Sequence, residues 1–554
     1  MDTDVIVIGG GHNGLTCAGY LARAGLSVTV LERREIVGGC ATTEELIADA
    51  PGFRFNGGAT ELLGFTGQPV YRDLELEKHG LELIDSDPMF MMPFPNGKHI
   101  FVHRSVEETI ESIASVSPAD ARAYRRYHDL WGGLDSVLGP TYTRRGPLPG
   151  RRPRPAGAAS RRRASLRGAL RGAPAHAMRT ARSIGSVAQF LRSSDAAEMT
   201  RIALMPARRY IEEAFESPEM RSLMAFFAMQ TKTSLDEPGS ALGMVELPWS
   251  HAGGVTRPRG GMSAVCDAIA SAVVHHGGQI VRGQHVEKIL VRGQRAVGVR
   301  TATGEEFLAR RAVVAAVSPV RVFGELIDPD ALDPAFRRRV QSIQVDNTGV
   351  IKVFYALSDA PVFSNSGDDG TNRGFRTAAG MLCPTISHAD AMWAAIRRRE
   401  LPPEIGWSWC THTSTLDPTM APPGAHTLGL HVWVPVELAD GRGWDERARE
   451  TMAMRLLDEY ARCAPNVKSS LIAWAARTPT DYEDVTDNPN GNMFHVDYVP
   501  HQMFGLRPLP ELSDYRTPLG ALYLTGAGTH PGPAVTGLPG HNTAHVILDD
   551  IKEI

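Results

Sequence analysis

The sequence predicts an α/β protein in which a dinucleotide-binding, Rossmann-like sheet is interrupted by a second unit of mixed sheet and helices. Three stretches predict it: a strand–turn–helix–strand at residues 4–32, a helix followed by several strands at 260–316, and a glycine-rich strand and helix at 522–552. At 554 residues and 43% apolar content the chain is long enough for two or three domains with a substantial core.

The first stretch reads DVIVIGGGHNGLTCAGYLARAGLSVTVLE from Asp4. Val5 to Ile8 form a β-branched run suited to a parallel strand covered on both faces. Gly9, Gly11 and Gly14 follow with G-x-G-x-x-G spacing: the first permits the tight turn, the second lets backbone approach a pyrophosphate, and the third lets helix and strand pack closely. Phosphates then meet a helix N-terminus, whose unpaired N–H groups favour negative charge. Leu15, Ala18, Leu21 and Ala22 recur at helical spacing, Gly25 ends the helix, and Ser27 to Leu31 make the next strand. Glu32 closes that strand 23 residues after Gly9, where a carboxylate accepts ribose hydroxyls. Arg33 and Arg34 resemble a clamp for a ribose phosphate, but Glu32 would repel that group, so they read as phosphate-side or solvent-facing.

The second stretch predicts a helix over Ser263 to His275, a turn at Gly277-Gly278, and strands at Gln279 to Val281, Val286 to Val291, Ala296 to Thr301 and Ala312 to Ala316. The third predicts an apolar strand, Leu522 to Thr525, then Gly526, Gly528 and Gly532, and a helix from about His541 introduced by Gly537-Leu538-Pro539-Gly540.

Composition excludes several classes. The net charge of −4 gives no global signal for nucleic acid, and no apolar run approaches a membrane span. Met1 to Asp4 lead straight into the first strand, so a cytosolic protein without a leader is expected. Six cysteines (Cys17, Cys40, Cys266, Cys383, Cys410 and Cys463) form no C-x-x-C pair, which argues against a metal site and against flavin–disulfide chemistry. Ser/His/Asp hydrolase and zinc readings lack their spacing signatures.

With a second glycine pair at Gly38-Gly39, in ERREIVGGCATTEE, the chain resembles the large flavoprotein class that includes amine oxidases and phytoene desaturases. More narrowly it resembles the phytoene dehydrogenase-like FAD oxidoreductases, in the sub-branch of the β-carotene ketolase and the animal pyridine nucleotide-disulfide oxidoreductase domain-containing proteins. The resemblance spans nearly the whole chain. It is carried by GGGHNGLTCAGYLARAG from Gly9, RPRGGMSAV from Arg257, LDPTMAPPGAHTL from Leu416, NGNMFHVDYVPHQMFGLRPLPELSDYRTP from Asn490 and YLTGAGTHPG from Tyr523. It implies FAD as cofactor and a discontinuous FAD-binding domain, residues 1–70, 256–330 and 515–554, with a substrate domain over 71–255 and 331–514. It places Gly9, Gly11, His12, Asn13, Gly14, Glu32, Arg33, Gly38 and Gly39 along the nucleotide and pyrophosphate, Val286 against the adenine, and Gly526, Ala527, Thr529, Gly537 and Leu538 by the flavin. Most amine oxidases carry an acid after the first glycine of the last strand; Gly526-Ala527-Gly528-Thr529 departs from that pattern and points to the phytoene-desaturase branch.

Between these pieces, residues 136–194 carry 13 arginines and no Asp, Glu or Lys. Two readings fit this loop. One is a polybasic strip on anionic lipid, at the inner face of a membrane; the other is a solvated Pro/Gly/Ala-rich loop in a chain that uses 51 arginines and seven lysines. Met89, Phe90, Met91, Met92 and Phe94 read either as a wall of an apolar cleft or as core. His495, Arg507 and His530 are the candidates for polar groups that serve the chemistry, His495 first.

The resemblance implies an FAD-dependent enzyme that dehydrogenates an apolar, isoprenoid or carotenoid-like substrate by hydride transfer to flavin. With one complete nucleotide fingerprint, reoxidation falls to dioxygen or a quinone. Ketolase-type oxygenation and a flavin-bearing regulatory protein without turnover are the alternatives.

Overall fold

The computed structural model describes residues 2–142, 194–364, 374–375 and 379–552. The chain crosses repeatedly between two sheets. It opens in the first with β1 (Asp2–Ile8), α1 (His12–Arg23) and β2 (Val28–Leu31), then enters the second with β3 (Phe90–Pro93) and β4 (His99–Val102). Helices α2 (Pro118–Tyr142) and α3 (Pro218–Met229) follow. It returns with α4 (Ser263–His275), β5 (Gln279–Val281), β6 (Val286–Arg292), β7 (Arg295–Thr301) and β8 (Glu306–Ala315). It leaves again with β9 (Thr348–Leu357), β10 (Ala379–Leu382), β11 (Ser408–Thr411), β12 (His426–Pro435), α5 (Glu446–Ala461), β13 (Leu471–Arg477) and α6 (Pro479–Thr486), and ends in the first sheet with β14 (Leu522–Leu524) and α7 (Leu538–Lys552).

The first sheet runs β5-β2-β1-β8-β7-β6, with β14 also on β8. β1 is parallel to β2 and β8, and β14 is parallel to β8. Apolar clusters cover both faces, Val5 and Val7 on the α1, α4 and α7 side, Ile6 and Ile8 on the other. β8 begins six residues before the expected strand. Its first part, Glu306 to Leu308, pairs with β7 in a meander; Leu308 and Ala309 already pair with β1, but only Ala312 to Ala315 are buried throughout, where the apolar signal lies. α7 likewise starts at Leu538 rather than His541: Pro539 sits in the first turn, where its missing N–H costs nothing. α7 crosses α1 so closely that a Cβ on Gly540 would lie 2.2 Å from the Asn13 carbonyl oxygen.

The second sheet runs β13-β9-β12-β11-β10-β3-β4, and β9 pairs with β12 over ten residues. Met89 to Met92 and Phe94 are buried in its core, with Phe90 edge-on to Phe227 and Trp409; they are packing residues, and the cleft-wall reading falls. The arginine-rich segment is not wholly loop, since 136–142 end α2 and a helix begins at Ser194; residues 143–193 lie outside the described residues. No described helix is long and apolar enough to cross a membrane. All six cysteines are free.

Candidate functional site

A groove runs along the C-terminal ends of β1, β2 and β8. It is lined by Gly9, Gly11, His12, Asn13 and Gly14 from the first turn, Glu32 and Arg33 from the end of β2, Gly38, Gly39 and Cys40, Gln284 to Val286, Arg321, Asp487, Met493, His495, Gly526 and Ala527. Three distant stretches of the sequence therefore meet in one concavity.

Local geometry explains the glycines. Gly9 turns with φ +97°, and a Cβ on Gly14 would lie 2.2 Å from the Gly9 oxygen, so helix and turn meet only without a side chain there. At Gly11 nothing lies within 4 Å of where a Cβ would stand. The space beside it is that of the groove. Gly38 bridges to Gly11 and donates to the Gly10 oxygen at 2.9 Å, which stacks the second glycine pair onto the first turn. The buried Glu32 carboxylate accepts from the amides of Gly10 at 2.7 Å and Arg34 at 2.8 Å, and each oxygen keeps a further acceptor position. Asn13 Oδ1 is buried with no partner among the described residues. A glycine-walled turn, a helix N-terminus, a strand-end acid and an unsatisfied amide oxygen fit an extended dinucleotide with its pyrophosphate at α1.

Burial holds two histidines of the groove, His12 and His495, in the neutral form near pH 7. His12 donates from Nε2 to the Ala534 oxygen at 3.2 Å, and burial pushes its pKa down to about 4. His495 lines the same groove beside Gly526, with φ +65°, and a Cβ on Gly526 would stand 2.9 Å from its Cε1. Ser318 Oγ donates to its carbonyl at 2.9 Å, fixing the backbone. Burial first, then the Arg507 charge, push the ring down to about 3, and its Nδ1 has no partner among the described residues. It is a polar, uncharged group in the groove wall.

Arg507 does not reach the groove. Its five donors go to five carbonyls: Nε to Ala527 at 2.8 Å, Nη1 to Asp497 and Gln502 at 3.0 and 2.9 Å, and Nη2 to Phe494 and Val496 at 2.7 and 3.0 Å. The expected chemical role is therefore corrected: Arg507 has no donor to spare and pins the 494–502 loop to Ala527. His530 is also corrected. It is fully buried, stacked at 6.5 Å on Tyr142, and its carbonyl accepts from Tyr515 at 3.0 Å, so it lies behind the groove. Thr529 sits one layer back as well, donating to the Gly526 oxygen at 2.9 Å. Gly537 and Leu538 start α7, where a Cβ on Gly537 would meet Thr16 Oγ1 at 2.8 Å, and do not line the groove.

Sequence reasoning missed Lys352. It lies mid-strand in β9, where all ten residues are buried, opposite His431 on β12. Its Nζ donates to the Gly58 oxygen at 3.0 Å, and Ala59 in turn donates to the groove residue Cys40 at 2.9 Å. Burial lowers its pKa to about 7. A single lysine inside TGVIKVFYAL was the available signal. Arg321, His285 and Asp487 were missed because they meet only in space.

The comparisons agree with this geometry. The model of the family described as flavin containing amine oxidoreductase matches residues 14–537. The chain is 32% identical over 575 residues to pyridine nucleotide-disulfide oxidoreductase domain-containing protein 2 of Rattus norvegicus, covering 100% of this chain and 94% of that one. It is 27% identical to a limonene dehydrogenase polypeptide of Castellaniella defragrans, covering 99% and 95%, and 24% identical to the lycopene-forming phytoene desaturase of Paracoccus sp., covering 99% and 97%. Among solved structures, an oxidoreductase from Methanosarcina mazei shares the fold with a TM-score of 0.59 at 17% identity, covering 100% of both chains. The chain belongs to the flavin-containing amine oxidoreductase family and is an FAD-dependent oxidoreductase.

Proposed function

We propose that this oxidoreductase desaturates an apolar, isoprenoid-type substrate by hydride transfer to its flavin. The observation that carries the reading is the groove wall beside His495. Met493 lines it, and Met493 and Phe494 pack on the apolar core of the second sheet, with Phe494 6.3 Å from Trp433. The polar residue there, His495, is neutral, so a hydrocarbon approaching it displaces no ion. Two relatives, limonene dehydrogenase and phytoene desaturase, bear names of enzymes acting on isoprenoids.

FAD supplies a hydride acceptor when bound. The Gly9–Gly14 turn and Gly38-Gly39 would hold its pyrophosphate, Glu32 its ribose and Val286 its adenine. His495, Gly526 and Ala527 would border the flavin. Arg507 fixes the loop carrying Met493 and His495, so its five bonds set the shape of the substrate end. Desaturation also releases a proton, which leaves to solvent; Lys352 Nζ is held on the Gly58 oxygen and does not line the groove. Reoxidation is assigned to dioxygen or a quinone.

Expression in a carotenoid-producing bacterium, with pigments analysed by mass, tests the reading. Products lighter by pairs of hydrogens support desaturation, and a gain of oxygen supports the ketolase alternative. Unchanged pigments remove carotenoids as the substrate class.

A further inference from the structure

At the Glu32 end of the groove, four side chains from four separate segments converge. Arg33 follows β2, His285 lies between β5 and β6, Arg321 follows β8, and Asp487 caps the C-terminus of α6, which packs on the second sheet. Asp487 Oδ1 is 3.7 Å from Arg33 Nη1 and is bonded to Arg321 Nη1; its Oδ2 is 3.0 Å from His285 Nε2. Arg321 Nη2 lies 2.9 Å from the same His285 nitrogen and Nη1 donates to the Asp487 carbonyl at 3.4 Å. Arg33 also donates to the Asp484 carbonyl, a second tie to α6.

One carboxylate thus joins the Arg33 and Arg321 segments of the nucleotide-binding sheet to the helix facing them across the groove, with His285 Nε2 beside it. Isolated surface pairs contribute little, but this is a connected network of partly buried charges, with the Arg321 side chain 10% and Asp487 25% exposed. Removing Asp487 would leave two arginines facing each other. Asp487 holds φ +63°, a left-handed conformation that asparagine and aspartate adopt more readily than other non-glycine residues, so the residue type suits the turn as well as the charge.

We propose that Asp487 is a positioning residue for the cofactor: it straps the nucleotide end of the groove shut and slows release of bound FAD. The inference rests on the orientation argued above, with the adenosine end at Glu32. The strap acts on that end alone, so it distinguishes FAD from FMN, which lacks the adenosine.

The test uses the full-length protein and Asp487→Asn, which keeps the left-handed turn and removes the charge. FAD release from the holoenzyme is followed by flavin fluorescence, and the apoprotein is titrated with FAD and with FMN. The expected result is release about tenfold faster and FAD affinity about tenfold weaker, with FMN affinity unchanged. Arg33→Met, which removes one arm without touching the turn, should give a smaller change in the same direction. Unchanged release in both variants, or equal losses of FAD and FMN affinity, would overturn the strap. Glu32→Gln separates the two claims: if it weakens FAD selectively, the orientation stands whatever Asp487 does, and if it spares FAD, the orientation fails and the strap with it.

Discussion

Gly11 and Gly14 are three residues apart in one motif, yet the structure gives alanine different consequences for folding at the two positions. Gly11 has φ −69° and ψ 164°, which any residue adopts, and nothing lies within 4 Å of its missing Cβ. Gly11→Ala should therefore leave the apoprotein's urea midpoint unchanged while placing a methyl where the pyrophosphate approaches. Losing two backbone–phosphate hydrogen bonds of about 1–1.5 kcal/mol each corresponds to roughly 30- to 150-fold weaker FAD. In Gly14→Ala the Cβ would stand 2.2 Å from the Gly9 oxygen and 3.0 Å from the Ala316 Cβ. Helix and turn must separate, at about 1–3 kcal/mol of overpacking, so folding stability falls along with FAD affinity. Urea unfolding of the apoproteins and flavin-fluorescence titration measure both quantities. A Gly11→Ala protein that binds FAD as tightly as the parent would refute the reasoning.

Arg507→Met should cost about 3–5 kcal/mol of folding stability in urea, because five buried carbonyls lose their donor, and Arg507→Lys should not rescue it, since an ammonium cannot span them. Lys352→Met should be more stable than the parent at pH 7. The folded lysine titrates at about 7 against 10.5 unfolded, so the unfolded chain holds the extra proton between those values. The parent should recover relative to the variant by about 1.4 kcal/mol per pH unit as pH rises through that window. His12 and His251, both lowered to about 4, and His495, lowered to about 3, contribute their full share of stability above pH 6.5. Below it the unfolded chain binds protons that the fold excludes, and each histidine should remove about 1.4 kcal/mol per unit until its folded pKa is reached, read as a falling urea midpoint.

The groove's glycines and Glu32 were legible because the βαβ unit is local: strand, turn, helix and acid are contiguous, and their periodicity carries the signal. α4 and β5 to β7 matched their predicted spans to within a residue for the same reason. β8 was read short because its outer half alternates with solvent and lacks an apolar run. Arg507 was misread because the motif shows an arginine near the last strand but not the five carbonyls folded around it. Met89 to Phe94 is as apolar as a substrate wall would be; only the packing of Phe227 and Trp409 on Phe90 identifies it as core. The Asp487 network depends on four segments separated by up to 454 positions, from Arg33 to Asp487, and no local pattern announces it.

Anaerobic reduction of the flavin tests the central claim most directly. Mixing the purified holoenzyme with phytoene in vesicles, in the absence of dioxygen, should bleach the oxidised-flavin absorbance, while a primary amine such as putrescine should leave it unchanged. Bleaching by the amine and none by the hydrocarbon would contradict the account.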